Sequence, residues 1–245
     1  MMAAHAVALR GRPVSIISEG KRSVIGGAQF LHSPIPLVTE AEPEFQITFK
    51  LRGTAGEYRR KVYGDKPGVP FVSMEGLTDG ATQDAWSLRS AYDHLWEGPL
   101  GRSAQQNAVT VSPSWLLNNA NNFRFIISTI PLNLLCVNPQ VHNFAYQEIW
   151  ISTEDRSDIE EDTVIYNGDT APSWYRASNI RGVSGTEWST SGVKPPLPNL
   201  ILVRKPLWTN CDCWPDMMKV GRYGSWKKGV LVDDAFRDVM RGDIP

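Results

Sequence analysis

Cysteine is scarce. Three residues of 245, Cys136, Cys211 and Cys213, carry a thiol, and a small, odd number does not make a disulfide framework. A reducing, cytoplasmic compartment is the expectation that follows. Histidine is nearly as rare: His5, His32, His94 and His142 are scattered, with no H-E-x-x-H among them. Cys211-Asp212-Cys213 supplies half a zinc ligand set. No second cysteine pair or neighbouring histidine completes it in the sequence, so no metal is expected. Charge of one sign is missing too, since 25 basic residues meet 26 acidic ones for a net charge of −1. That excludes a broad basic field for a nucleic-acid backbone, and no nucleic-acid partner is expected. No run of about 18 apolar residues occurs, so no membrane partner or spanning helix is expected. Met1–Arg10 is too short and too weakly apolar for a signal peptide. The G-x-S-x-G elbow and the G-x-x-x-x-G-K-[ST] phosphate loop are absent, which removes two common hydrolase and nucleotidase chemistries.

Proline and glycine are plentiful, at 17 and 20, and divide the chain into short elements. Ala3–Leu9 favours a helix, stopped by Gly11 and Pro13. Val14–Ser18 is a β-branched run suited to a buried strand. Phe45, Ile47, Phe49 and Leu51 alternate with polar residues. With Gly53–Gly56 as a turn and Tyr58–Tyr63 returning, 45–63 reads as a hairpin. Residues 82–97 have near-helical apolar spacing, with Pro99 and Gly101 after them. A short strand at Ala108–Val111 and a helical turn opened by Ser112-Pro113 come next, then a buried strand within Phe123–Ile130. A second hairpin spans 163–178, turning at Asn167-Gly168-Asp169. A strand at 200–204 and a closing amphipathic helix within Val230–Met240 complete the reading.

Four segments resemble FAD-dependent proteins of the glutathione-reductase type, with the pattern closest to the UDP-galactopyranose mutase and amine-oxidase-like branch. Ala3–Ser18 resembles the helix and second strand of the dinucleotide-binding unit. Ile25-Gly26-Gly27-Ala28-Gln29-Phe30-Leu31-His32 is similar to the glycine pair placed beside the flavin. Phe125–Leu132 looks like the strand returning from an inserted lobe. Val220-Gly221-Arg222-Tyr223-Gly224-Ser225-Trp226 is similar to the terminal glycine–arginine segment that approaches the flavin. The resemblance implies an α/β fold: a truncated Rossmann-like FAD-binding layer (1–44, 108–135 and 215–245) with an inserted antiparallel β-rich lobe (45–107 and 136–214). It implies a flavin-dependent oxidoreductase or mutase-like enzyme acting on a small-molecule substrate, with oligomers possible. The alternative is a non-catalytic remnant of the flavoprotein fold that serves in binding or assembly.

One departure weakens the FAD expectation. The family's G-x-G-x-x-G lets backbone approach the pyrophosphate at a helix N-terminus, and this sequence contains no such motif. FAD binding is therefore expected to be weak or absent in this chain unless a partner chain or upstream residues supply the loop. The resemblance implies Ser18 or Glu19 for the ribose contact, and Gly26, Gly27, Gly221, Arg222 and Tyr223 for the cofactor. His32, Tyr175 and Arg176 are the substrate-side catalytic candidates, the last two because Trp174–Ser178 would alternate aromatic and polar side chains along a strand. Each has an ordinary reading beside the functional one: a loop turn for the glycine pair, a surface ion pair for Arg222, a packed side chain for His32, and strand packing for Trp174–Ser178. Glu187 joins the last group only if its strand pairs beside it. Asp233-Asp234 reads as a pair of solvated helix carboxylates.

Overall fold

A computed structural model of the chain describes residues 1–22, 29–64, 78–106, 109–154 and 156–244. Along these residues the elements are α1 (Met2–Leu9), β1 (Phe30–Leu31), β2 (Phe45–Arg52), α2 (Ala55–Tyr63), β3 (Thr82–Ser87), α3 (Leu88–Glu97) and α4 (Pro99–Gln106). They continue with α5 (Pro113–Asn119), β4 (Ile126–Ser128), α6 (Leu132–Leu135), β5 (Phe144–Ser152), β6 (Thr163–Asn167) and β7 (Arg176–Ile180). The last are β8 (Val183–Ser189), β9 (Ile201–Thr209), β10 (Met217–Lys219), α7 (Gly221–Gly224) and α8 (Asp234–Arg241). No described helix is long and apolar enough to cross a membrane.

The chain forms a mixed α/β structure of two units. The first comprises Met1–Glu42, Trp86–Ala145 and Pro206–Pro245; the second comprises Pro43–Ala85 and Tyr146–Lys205. These boundaries differ from the sequence reading, which put 86–107, 136–145 and 206–214 in the lobe and 43–44 in the layer. Helix α3 stays with the first unit because Leu88, Ala91 and Leu95 join the core formed by α1 and α8.

In the first unit, α1 and α8 pack through Ala6, Val7, Phe236 and Val239. Arg10 secures the pair: its Nη1 donates to Val239 O at 2.9 Å and to Gly242 O at 2.6 Å, taking up carbonyls that the end of α8 leaves unpaired. Strand β10 runs parallel to β4, matching Met217 to Ile126 and Lys219 to Ser128. Val220 N extends the ladder to Ser128 O at 3.0 Å. Helix α7 then lies hard against the end of β4. A Cβ at Gly224 would come within 2.6 Å of Ser128 O, so glycine is the residue that permits the approach.

In the second unit the strands follow the order β3-β2-β6-β7-β8-β5-β9. β2 is parallel to β6 and antiparallel to β3, and β6, β7, β8 and β5 are successively antiparallel. The β6–β7 pair is the hairpin expected at 163–178. Helix α2 covers part of this sheet, with Tyr58 and Val62 packed on Ile149, Ile151 and Tyr175.

Four local expectations are corrected. Tyr58–Tyr63 is the body of α2 and not a returning strand. Thr54 caps the helix, its Oγ1 accepting from Glu57 N while Glu57 accepts from Thr54 N. Residues 82–97 divide at Ser87, which ends β3 and caps α3 by accepting from Ser90 N. Val14–Ser18 is extended but carries no strand ladder, and only Ser18 bridges, its carbonyl accepting from Val109 N at 3.0 Å. Val109–Val111 accordingly forms no strand beyond that bridge; Ala108 lies outside the described residues.

Candidate functional site

The first unit brings together three stretches that lie far apart in sequence. His32 and Ser33 follow β1, Gly221–Tyr223 follow β10, and Asp233–Arg237 open α8. Ser33 Oγ donates to Asp233 Oδ2 at 2.5 Å, and Arg237 Nη1 donates to Ser33 Oγ at 2.7 Å. Arg237 also pairs with Asp233 Oδ2 at 2.9 Å and with Asp234. Asp233 is wholly buried, and its Oδ1 has no hydrogen-bond partner among the described residues. Burial pushes the Asp234 carboxyl up. The Arg237 guanidinium, the Leu231 N–H and the nearby His32 outweigh that and hold it below the usual carboxylate range. The Asp233-Asp234 pair is thus an ion-paired helix start and not a solvated one.

Gly221 sits at φ 72° in the left-handed region, where its ideal Cβ would lie 3.9 Å from the Ala235 side chain. The turn after β10 and the start of α8 are therefore neighbours. Arg222 makes no ion pair among the described residues: its Nη2 donates to Pro206 O at 3.1 Å, and its buried Nε has no partner among them. Tyr223 stands edge-on to Trp226 at 6.4 Å. His32 packs against Phe30, ring centroids 4.7 Å apart. Gly26 and Gly27 lie outside the described residues. Ser18 Oγ is occupied in a local turn, accepting from Gly20 N at 2.9 Å, and Glu19 pairs with Arg22 at 3.0 Å on the surface.

A groove in the same unit is lined by Ser15 and Ile17, by Phe125–Ile130, and by Trp115, Leu116, Leu135 and Met217. β4 pairs with β10. Among the described residues, no backbone hydrogen bond is made by Val14–Ile17.

Tyr175 and Arg176 belong to the second unit, where they join a buried ionic cluster. The β7–β8 register sets Arg176 opposite Glu187. Glu187 accepts from Tyr175 Oη at 2.6 Å, from Arg176 Nη1 at 3.2 Å and from Lys205 Nζ at 2.5 Å. Burial pushes the Glu187 carboxyl up, yet the Lys205 and Arg176 charges, with the bonds from Lys205 and Tyr175, hold it at about 2. Burial and the adjacent Glu187 charge push the Tyr175 phenol well above its ordinary range. Tyr175 is 2% exposed, so its hydroxyl is committed to this cluster.

Sequence reasoning missed one constellation. Cys136, His142, Cys211 and Cys213 converge in the first unit with their donor atoms within 4.8 Å of one another. The ligands that the Cys211–Cys213 pair lacked come from a C-x5-H stretch about seventy residues upstream. That spacing is the only signal the sequence offered, and only the tertiary fold joins the halves. A scan against protein-family models matches none, and a search of curated proteins returns no relative.

Proposed function

We propose that the first unit is the dinucleotide-binding layer of a flavin-dependent oxidoreductase or mutase-like enzyme. The observation that carries the reading is the groove lined by Ser15, Ile17 and the residues of β4. In Rossmann order, 3-2-1-4, the first strand lies between the second strand and the one on its far side. Reading Val14–Ser18 as the second strand and β4 as the strand across the groove would put the groove at the first strand's position in that order. The meeting of His32, the Gly221 turn and the start of α8 supports the reading from the other end of the layer.

FAD, when bound, would act as the electron acceptor or nucleophile, and the protein would position it. Gly221 lets backbone approach a ligand, and Arg222 carries a buried N–H without a partner among the described residues. His32 carries an imidazole, the side-chain type suited to proton transfer. Ser18 and Glu19 are the ribose candidates, though each already has a local partner. Tyr175 fits a structural role better than a substrate-side one, because its hydroxyl is spent on Glu187.

The pyrophosphate side is the weak point. Two or three charge-assisted bonds from a glycine loop are worth about 1.5–3 kcal/mol each, or about 3–9 kcal/mol together. That amounts to about two to six orders of magnitude in affinity. The test is calorimetric titration of FAD into the 245-residue chain and into a version with a strand and G-x-G-x-x-G turn fused ahead of Met1. Weak binding by the first and at least hundredfold tighter binding by the second is expected. Binding by neither overturns the flavin reading and leaves the non-catalytic remnant.

A further inference from the structure

Four ligand-type side chains from two distant stretches meet in the first unit. Cys136 follows the one-turn helix α6. His142 ends the next turn, where the N–H groups of Val141 and His142 both donate to Asn138 O at 3.1 Å. Cys211 and Cys213 lie on the segment leaving β9. Backbone and amide contacts stitch the stretches together. Asn143 N donates to Asn210 Oδ1 at 2.7 Å, Thr209 Oγ1 donates to Asn143 O at 2.7 Å, and Trp214 Nε1 donates to Leu135 O at 2.7 Å. None of these bonds uses a thiol or the imidazole. The frame holds the four donors in place without spending them.

Their spacing is informative. Cys136 Sγ lies 3.3 Å from His142 Nδ1, Cys213 Sγ lies 3.5 Å from the same nitrogen, and the two sulfurs are 3.9 Å apart. A tetrahedral zinc ion with bonds of about 2.3 Å to sulfur and about 2.0–2.1 Å to nitrogen sets sulfurs about 3.8 Å apart and sulfur about 3.6 Å from nitrogen. A disulfide would need about 2.05 Å. The distances match ligands around a shared ion and not a cystine.

The surroundings are those of ligating groups. His142 turns Nδ1 to the sulfurs and places Nε2 3.3 Å from Asp212 Oδ1. A carboxylate there favours the proton on Nε2 and leaves the Nδ1 lone pair for a metal.

We propose that Cys136, His142, Cys211 and Cys213 bind one zinc ion in a closed, structural site. Three thiols release their protons to solvent as the metal binds, and the neutral imidazole contributes its lone pair. Four protein ligands leave no open coordination position, so the ion serves folding and not catalysis. It ties the turn after α6 to the segment between β9 and β10, beside the core of Leu116, Leu135 and Met217. The proposal does not rest on the flavin reading.

The experiment measures metal in the full chain purified under reducing conditions and then exchanges it for cobalt(II). One zinc per chain is expected, together with a cobalt spectrum showing thiolate-to-metal charge transfer and the intense d–d bands of tetrahedral coordination. His142→Ala should abolish stoichiometric zinc, and His142→Cys should restore it, because four thiolates still close the shell. Asp212→Asn should weaken zinc by about ten- to a hundredfold while leaving the spectrum tetrahedral. A folded, metal-free chain with three titratable thiols that takes up no added zinc overturns the proposal. So does a Cys136–Cys213 disulfide found by mass spectrometry in the unreduced protein. Should His142→Ala fail to fold, the cobalt spectrum of the unaltered chain still decides.

Discussion

The two units each bury a cluster of polar side chains, and the clusters differ in completeness. In the second unit, Glu187 is surrounded by Arg176, Lys205 and the Tyr175 hydroxyl, so its charge is answered from within the protein. In the first, three cysteines and a histidine face one another with their donor atoms all within 4.8 Å. A cluster that closes on its one carboxylate stabilises a fold, although Arg176 Nε stays buried without a hydrogen-bond partner among the described residues. A cluster of electron-pair donors gathered this closely can take a cation. The same distinction separates the candidate residues: Tyr175 is spent, while the buried Arg222 Nε and Asp233 Oδ1 are without partners among the described residues.

The largest effect should come from breaking the complete cluster. Glu187→Ala leaves two cations in a mostly buried setting, with side chains 20% and 19% exposed. It should cost about 3–5 kcal/mol in denaturant unfolding. The sign of the pH dependence follows from a carboxyl held at about 2 against an ordinary value of 4.5. Its contribution is fully present above about pH 4.5 and is lost as pH falls through about 2. A Glu187→Gln chain should lack that acid-dependent loss. Identical pH profiles for the two chains would show that the cluster does not carry the stability assigned to it.

Removing the cation from the other cluster comes next. With free zinc at about a hundred times its dissociation constant, the metal-bound chain gains about 2.7 kcal/mol. A chelator should remove that increment. Amide hydrogen exchange should quicken around residues 136–142 and 209–214 and stay unchanged in β6, β7 and β8. Equal loss of protection in both units would break the comparison.

These clusters also mark what the sequence could and could not disclose. The β6–β7 hairpin was legible because its turn, Asn167-Gly168-Asp169, and its β-branched strand lie within a few residues of each other. Helices α1 and α8 were legible from local propensity and apolar spacing. Val14–Ser18 has every local property of a strand, but a ladder needs a partner, and propensity says nothing about one. The metal cluster was illegible for the same reason: Cys136 and Cys213 are 77 positions apart and meet only once the chain has folded. Arg176 and Glu187 were named together in the sequence, and the β7–β8 register that joins them came from the fold.

A smaller effect tests the close contact that places the Gly221 turn. Gly224→Ala would set a methyl 2.6 Å from Ser128 O and 3.2 Å from Thr129 Cα, both backbone atoms of the strand end. Overpacking of this kind costs about 1–3 kcal/mol. Gly221→Ala meets nothing closer than 3.9 Å and should cost about 1–2 kcal/mol, from its left-handed backbone alone. If Gly221→Ala proves the more damaging to stability, α7 does not lie against β4 as described.

The smallest effect concerns α2, where local signals competed. Alternation through Phe45–Leu51 and the glycines at 53 and 56 argued for a hairpin, while Thr54-x-x-Glu57 spelled a capping box. The box prevailed because both of its bonds form. Thr54 Oγ1 accepts from Glu57 N at 3.2 Å, and Glu57 Oε2 accepts from Thr54 N at 2.8 Å. They satisfy two donors that the first turn would otherwise leave unpaired. The helix then lays Tyr58 and Val62, four residues apart and so on one face, against Ile149 and Ile151. Thr54→Ala removes the cap and should cost about 1 kcal/mol. Thr54→Ser should cost little, since its hydroxyl can make the same bond. Equal losses in the two variants, measured by denaturant unfolding, would show that the threonine methyl matters and the cap does not. The choice of helix over strand would then rest on packing against β5 alone.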